Sequence, residues 1–230
     1  MIIDDRKLIG VNDMSRLFLK YWKSLVLVNL FFSVLVVRYE YHHLYSENAL
    51  LENLQGAFLL LSAIAYFSLA RLSLGHLRSA YFGTALLCFS FFTREVDLEL
   101  LPVIEHVGFL FHGIGRTAML LVLWSFYIVM VVRQGGFKAH TSNLLRSKYL
   151  HYFSLCFLLL ITGAVFDREI FNVEYGRLFE ELAETNAYAF LALPAIYELY
   201  YRFKKGLRLS DSMAATANVT GNVTAKADET

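Results

Sequence analysis

Six apolar stretches constrain this chain more than any other feature. Each is close to the roughly 20 residues that a helix needs to cross the hydrocarbon layer. They fall at about 21–37, 50–70, 79–98, 109–132, 149–166 and 182–203. A chain that is 57% hydrophobic and only 18% charged, with two prolines in 230 residues, belongs with membrane proteins rather than soluble domains. The pattern therefore predicts an all-α polytopic membrane protein with six transmembrane helices.

The two ends of the chain read differently. In residues 1–20 and just beyond, Met14, Leu17, Phe18, Tyr21 and Trp22 share one helical face, with Arg16, Lys20 and Lys23 on the other. That predicts a cytoplasmic amphipathic helix lying in the interface. The transmembrane domain is expected over 21–206. Residues 207–230 lack apolar periodicity and predict a disordered cytoplasmic tail. No small-residue cleavage site follows the first apolar run, which reads as an uncleaved span. Cys88 and Cys156 lie inside apolar runs and read as small buried hydrophobes.

Charge sets the orientation. Sixteen of the 21 Lys and Arg residues fall before span one, in the second and fourth loops, and after span six. The positive-inside rule then places both termini in the cytoplasm of a cell whose inner (plasma) membrane holds the protein. The acidic residues lie mostly toward the opposite side.

Orientation converts sequence position into depth. Only 15 residues separate Arg78 from Arg94, a rise of about 22 Å against a hydrocarbon layer of about 30 Å. Arg94, Glu95 and Asp97 are therefore expected inside the outer rim. The same count places Arg116 of span four, Glu52 of span two and Glu184 of span six at that level. Gln55 falls deeper, and Glu180 and Glu181 a turn above. Unpaired charges at such depth cost several kcal/mol, so these groups must face one another or a wet cavity. Arg116, the one basic residue within span four, is expected to pair with one or two of Glu52, Asp97 and Glu184.

A gap-free echo supports equivalence of two of these carboxylates. "LLENLQGAFLLLSAI" (50–64) and "LAETNAYAFLALPAI" (182–196) share eight of fifteen residues, and Glu52 aligns with Glu184. Pro194 stands where the first copy has Ser62, and predicts a kink in span six.

Metal chemistry has weaker candidates. Glu40 and His43 form a single Glu-x-x-His pair, and Glu105, His106 and His112 could ligate a divalent metal at the outer surface. No Gly-rich phosphate loop or Gly-x-Ser-x-Gly elbow occurs, and the short basic loops give nucleic-acid binding no support. The stretch "SFFTREVDLEL" resembles the Ser, His and Asp-Glu helix of the alkaline ceramidase-like membrane hydrolases. Thr93 and Arg94 stand where that family has its histidine, and the paired histidines of its last helix are missing, so its activity is not carried over.

The leading expectation is an inner-membrane protein that binds, and conducts in one version of the reading, a small cation, a proton or a lipid headgroup. The cluster expected to hold it comprises Glu52, Gln55, Arg94, Glu95, Asp97, Arg116, Glu180, Glu181 and Glu184. An outer-leaflet hydrolase and an accessory subunit with a membrane-protein partner are the alternatives. Membrane lipids are the expected surroundings in every case.

Overall fold

A computed structural model describes residues 23–31, 33–34, 38, 50–95, 109, 113–134, 150–168 and 175–227, the last 23 of these as backbone only. The described residues contain helices and turns and no strand. We label the helices α1 (residues 23–31), α2 (Leu50–Arg71), α3 (Gly75–Glu95), α4 (Gly113–Arg133), α5 (Leu150–Asp167) and α6 (Gly176–Ala227).

Two of these, α2 and α4, are long and apolar enough to cross a membrane; an apolar stretch of α5, Tyr152–Asp167, is shorter. The expectation of six spans is thus met by length and composition in two described helices. The others carry polar groups within their length, such as His76, Arg78, Arg94 and Glu95 in α3, and Glu180, Glu181, Glu184 and Glu198 in α6. The interfacial helix expected over 1–20 lies outside the described residues, as do Asp97, Glu105, His106, His112, Glu40 and His43.

The last helix also runs further than expected. Its backbone is helical on both sides of Pro194 and continues to Ala227, past the point where the sequence reading begins a disordered tail. Four alanines and no proline lie between Arg208 and Ala227 besides the final residue itself, and alanine is the best helix former.

Helices α2, α3, α5 and α6 make the core. The buried positions of α2 include Leu51, Gln55, Leu59, Ser62, Tyr66 and Leu69, which recur at helical spacing and form one stripe. That stripe meets α6, where Ala183, Ala187, Ala192 and Ala195 are buried. Small residues let two helix backbones approach closely, which is how packing replaces the hydrophobic effect between helices in lipid. Tyr66 fills the centre, stacked on Tyr81 of α3 at 6.2 Å and on Phe153 of α5 at 6.5 Å.

Helix α4 stands apart. Val131 is its one buried residue, and Leu121, Val122, Phe126 and Val129 are exposed. It touches α3 through Trp124, whose indole N–H donates to Ser90 Oγ at 3.1 Å. Gly83 of α3 gives Tyr127 room: a Cβ there would come within 2.6 Å of the ring carbon Cζ.

A tight turn joins α2 to α3, and Gly75 opens the second helix with φ +57°, a conformation that glycine adopts without strain. This turn is tied to α6. Arg202 Nε donates to the buried Glu198 at 3.0 Å, and its Nη1 donates to Ser73 Oγ at 2.9 Å. The guanidinium also lies 5.7 Å from the centre of the Tyr81 ring. This clamp closes one end of the bundle. The other end holds the acidic cluster.

Candidate functional site

The start of α2, the ends of α3 and α5, and the start of α6 meet around a cavity of about 270 Å³. Helix α2 contributes Glu52, from its first turn. Arg94 and Glu95 close α3, and Ala164 and Asp167 come from the last turn of α5. Four residues of α6 complete the lining, Arg177, Glu180, Glu181 and Glu184. Their spacing puts them on one side of that helix over two turns. Six carboxylates therefore face two guanidiniums, a strongly negative balance in a partly enclosed space.

The wall on the α3 side is organised around one oxygen. Glu95 Oε1 accepts from Arg94 Nε at 2.9 Å, from Arg94 Nη2 at 2.5 Å and from the Tyr188 hydroxyl at 3.1 Å. Tyr188 is fully buried in α6, so this bond fixes the end of α3 against the core. Arg94 Nη2 also lies 3.7 Å from Glu184 Oε1, spanning α3 and α6. Its side chain is 56% exposed, so this longer contact steers charge more than it adds stability.

Gln55 supports the wall on the α2 side. One turn inward from Glu52, it is 99% buried. Its Nε2 donates to Glu181 Oε2 at 2.7 Å and to the Glu181 backbone carbonyl at 3.2 Å. Its Oε1 is buried and has no hydrogen-bond partner. A glutamine with both amide atoms buried and one of them unmatched is costly, by about 1–3 kcal/mol, and calls for an explanation.

Glu180 and Glu181 precede the apolar part of α6, and both carboxyls are shifted. Burial pushes Glu181 up to about 7, with Glu180 and Glu52 adding repulsion and Arg177 opposing it. Glu180 is raised as well, by burial first and then by Asp167. Close carboxylates share protons or cations, because the fully ionised cluster repels itself.

Comparison of the chain with protein-family profiles, with characterised proteins and with solved structures finds no match.

The cavity unites six of the residues singled out from sequence: Glu52, Arg94, Glu95, Glu180, Glu181 and Glu184. Gln55 backs it through Glu181. Arg116 behaves otherwise. Its Nη1 donates to the Thr93 backbone carbonyl at 3.0 Å, and it is not among the residues lining the cavity. Among the described residues α4 packs chiefly on α3, and there Arg116 caps the end of that helix; the arginine near Glu184 is Arg94. Glu52 and Glu184, paired by the internal echo, both line the cavity, from helices that start at the same end of the bundle.

Four groups stand outside the cluster expected from the sequence, the first being Arg177, which lines the cavity one turn before Glu181. Asp167 ends the apolar run of α5 just as Glu95 ends that of α3, and the same depth count would have found it. Tyr188 gave no polar signal among its alanine and phenylalanine neighbours. Glu198 was detectable as the i, i+4 partner of Arg202. No group of three or more His, Cys, Asp or Glu suited to a metal ion occurs among the described residues.

Proposed function

We propose that the chain is a six-span membrane protein, with both termini cytoplasmic, whose outer-facing acidic cavity binds a small organic ammonium. The ammonium arrives either free or as the headgroup of a lipid. The observation that carries this reading is six carboxylates against two guanidiniums around about 270 Å³. That space has room for an alkylammonium group with its first carbons. The segregation of basic residues toward the opposite side supports an outward-facing position for this end of the bundle. Intramembrane ionisable groups gathered in a cavity mark ligand sites more often than structural ones. The exposed apolar face of α4 meets acyl chains.

The test uses the full chain in nanodiscs, with ethanolammonium and choline measured by calorimetry. In one arm the lipid is phosphatidylglycerol alone; in the other it includes phosphatidylethanolamine. A free ammonium ligand binds in the first arm. A headgroup ligand shows as competition in the second. An ion pair at about 5 Å in a half-wet site is worth about 1–3 kcal/mol. Glu184→Gln should therefore weaken binding about tenfold, and Arg94→Gln should tighten it. No binding in either arm, or the same affinity in both variants, would refute the reading.

A further inference from the structure

The unmatched oxygen of Gln55 points to a second ligand at the same site. The Gln55 side chain is directed at the cavity wall, since its amide ends against Glu181, which lines that wall. An amide beside a carboxylic acid forms two hydrogen bonds: amide N–H to one acid oxygen, and acid O–H back to the amide oxygen. Here the first bond is present at 2.7 Å, and the second acceptor, Gln55 Oε1, is buried without a partner. A proton on Glu181 would supply the donor that Gln55 Oε1 lacks. We infer that Glu181 and Gln55 form a proton-binding pair, and that a cation entering the cavity displaces that proton.

The groups around Glu181 favour this assignment. Helix α2 presents Glu52, α3 presents Glu95 and Arg94, and α5 presents Asp167. On α6 itself, Glu180 and Glu184 flank it and Arg177 lies one turn away. Carboxylates outnumber guanidiniums in that company, so a proton relieves repulsion that the two arginines leave uncompensated. The protonation is balanced simply: Glu181 carboxylate plus one proton gives the acid, whose O–H donates to Gln55 Oε1. A bound ammonium supplies the same positive charge to the same cluster, and the two therefore compete.

The sign follows. Glu181 is raised to about 7, so it is neutral below that pH and the proton must leave before a cation can use its charge. Cation affinity should rise with pH, by at most tenfold per unit, and level off above about 7. Because the folded state holds this proton more tightly than the unfolded chain, Glu181 also makes stability fall as pH rises from the ordinary carboxylate range to about 7.

The exchange rests on the cation-binding reading; the proton pair does not, and two readouts keep them apart. Infrared titration of the full chain in nanodiscs follows the carboxylic-acid carbonyl band. One component of that band should be present at pH 6, titrate near 7 and be lost in Glu181→Gln, on top of whatever the neighbouring acids contribute. In Gln55→Met it should move to the position of an acid without a hydrogen bond. If Gln55→Met does not fold, the Glu181→Gln comparison still decides. A band unaffected by Glu181→Gln, or no acid band above pH 5, would overturn the pair. In parallel, ethanolammonium is titrated in weakly buffered solution with a pH indicator. Proton release in the wild type, lost in Glu181→Gln, supports the exchange; binding without release overturns it. If ethanolammonium fails to bind while the band behaves as described, the proton pair stands and the cation-binding reading falls.

Discussion

Replacing Arg202 with methionine tests how far the closed end of the bundle is held by charge. Methionine keeps the length and apolar contact of the arginine stem and removes only the guanidinium. The interactions that go with it include the 3.0 Å bond to Glu198, the 2.9 Å bond to Ser73, the 3.5 Å bond to the Leu72 carbonyl and the approach to the Tyr81 ring. The decisive number is the burial of the partner, because the Glu198 side chain is 2% exposed. Removing one member of a buried pair typically costs about 3–5 kcal/mol, most of it the desolvation of the charge left behind. The Ser73 bond and the ring contact account for about 1 kcal/mol each within that total. Arg202→Met should therefore lose about 3–5 kcal/mol in reversible unfolding by sodium dodecyl sulfate. The double variant Glu198→Leu/Arg202→Met removes the buried carboxylate as well and should recover part of that loss. Glu184 and Arg202 are 18 residues apart on α6, a separation of about 27 Å, so ethanolammonium affinity should stay unchanged in both. A single variant within 1 kcal/mol of wild type, or a double variant no better than the single, would show that the pair is not what closes this end.

Two further perturbations probe helix contacts. Asn29 of α1 and Asn186 of α6 exchange side-chain bonds, Nδ2 to Oδ1 in both directions, at 2.9 and 2.8 Å. Asn29→Leu should cost about 1 kcal/mol in the same unfolding assay, with Asn29→Leu/Asn186→Leu less damaging than the single changes; additive costs would mean the amides are not coupled. At Gly163 of α5, an added Cβ would stand 3.1 Å from Glu184 Cγ. Gly163→Ala should displace the Glu184 carboxylate and weaken ethanolammonium binding severalfold, while costing about 1 kcal/mol or less in unfolding because Glu184 can yield into the cavity; unaltered affinity would detach Glu184 from the ligand.

The helical class and the acidic layer were legible because both follow from one-dimensional counts. Apolar length marks a helix, and residues from a basic boundary give depth. Depth alone brought Glu52, Glu95 and Glu184 to one level. It could not assign Arg116, since two residues at equal depth need not share a face, and which helices touch is set by packing. Among the described residues helix α4 lies chiefly against α3, and its arginine meets a backbone carbonyl there. Asn29 shows the same limit. Counted from the basic boundary at Lys23 it lies six residues, about 9 Å, along its helix, yet its partner Asn186 lies sixteen residues, about 24 Å, from Arg202. A helix can be shifted along its neighbour without any change in its own sequence. Only the contact reveals the shift.

The separation of the two polar ends bears on mechanism. Glu184 and Glu198 stand 14 positions apart on α6, about 21 Å of helix. In that interval Ala187, Tyr188, Phe190, Leu191 and Ala195 are at most 4% exposed, and α2 covers them with Leu59, Tyr66 and Leu69. A cation moving inward from the acidic cavity would have to leave six carboxylates and enter a close-packed apolar layer. Losing that compensation costs several kcal/mol, and no acid in the interval replaces it. Glu198 beyond the layer already faces Arg202. The arrangement therefore argues for a site that fills and empties through one mouth. In such a site a proton on Glu181 and a cation in the cavity need no path across the bundle to exchange; they need only compete for the same negative charge.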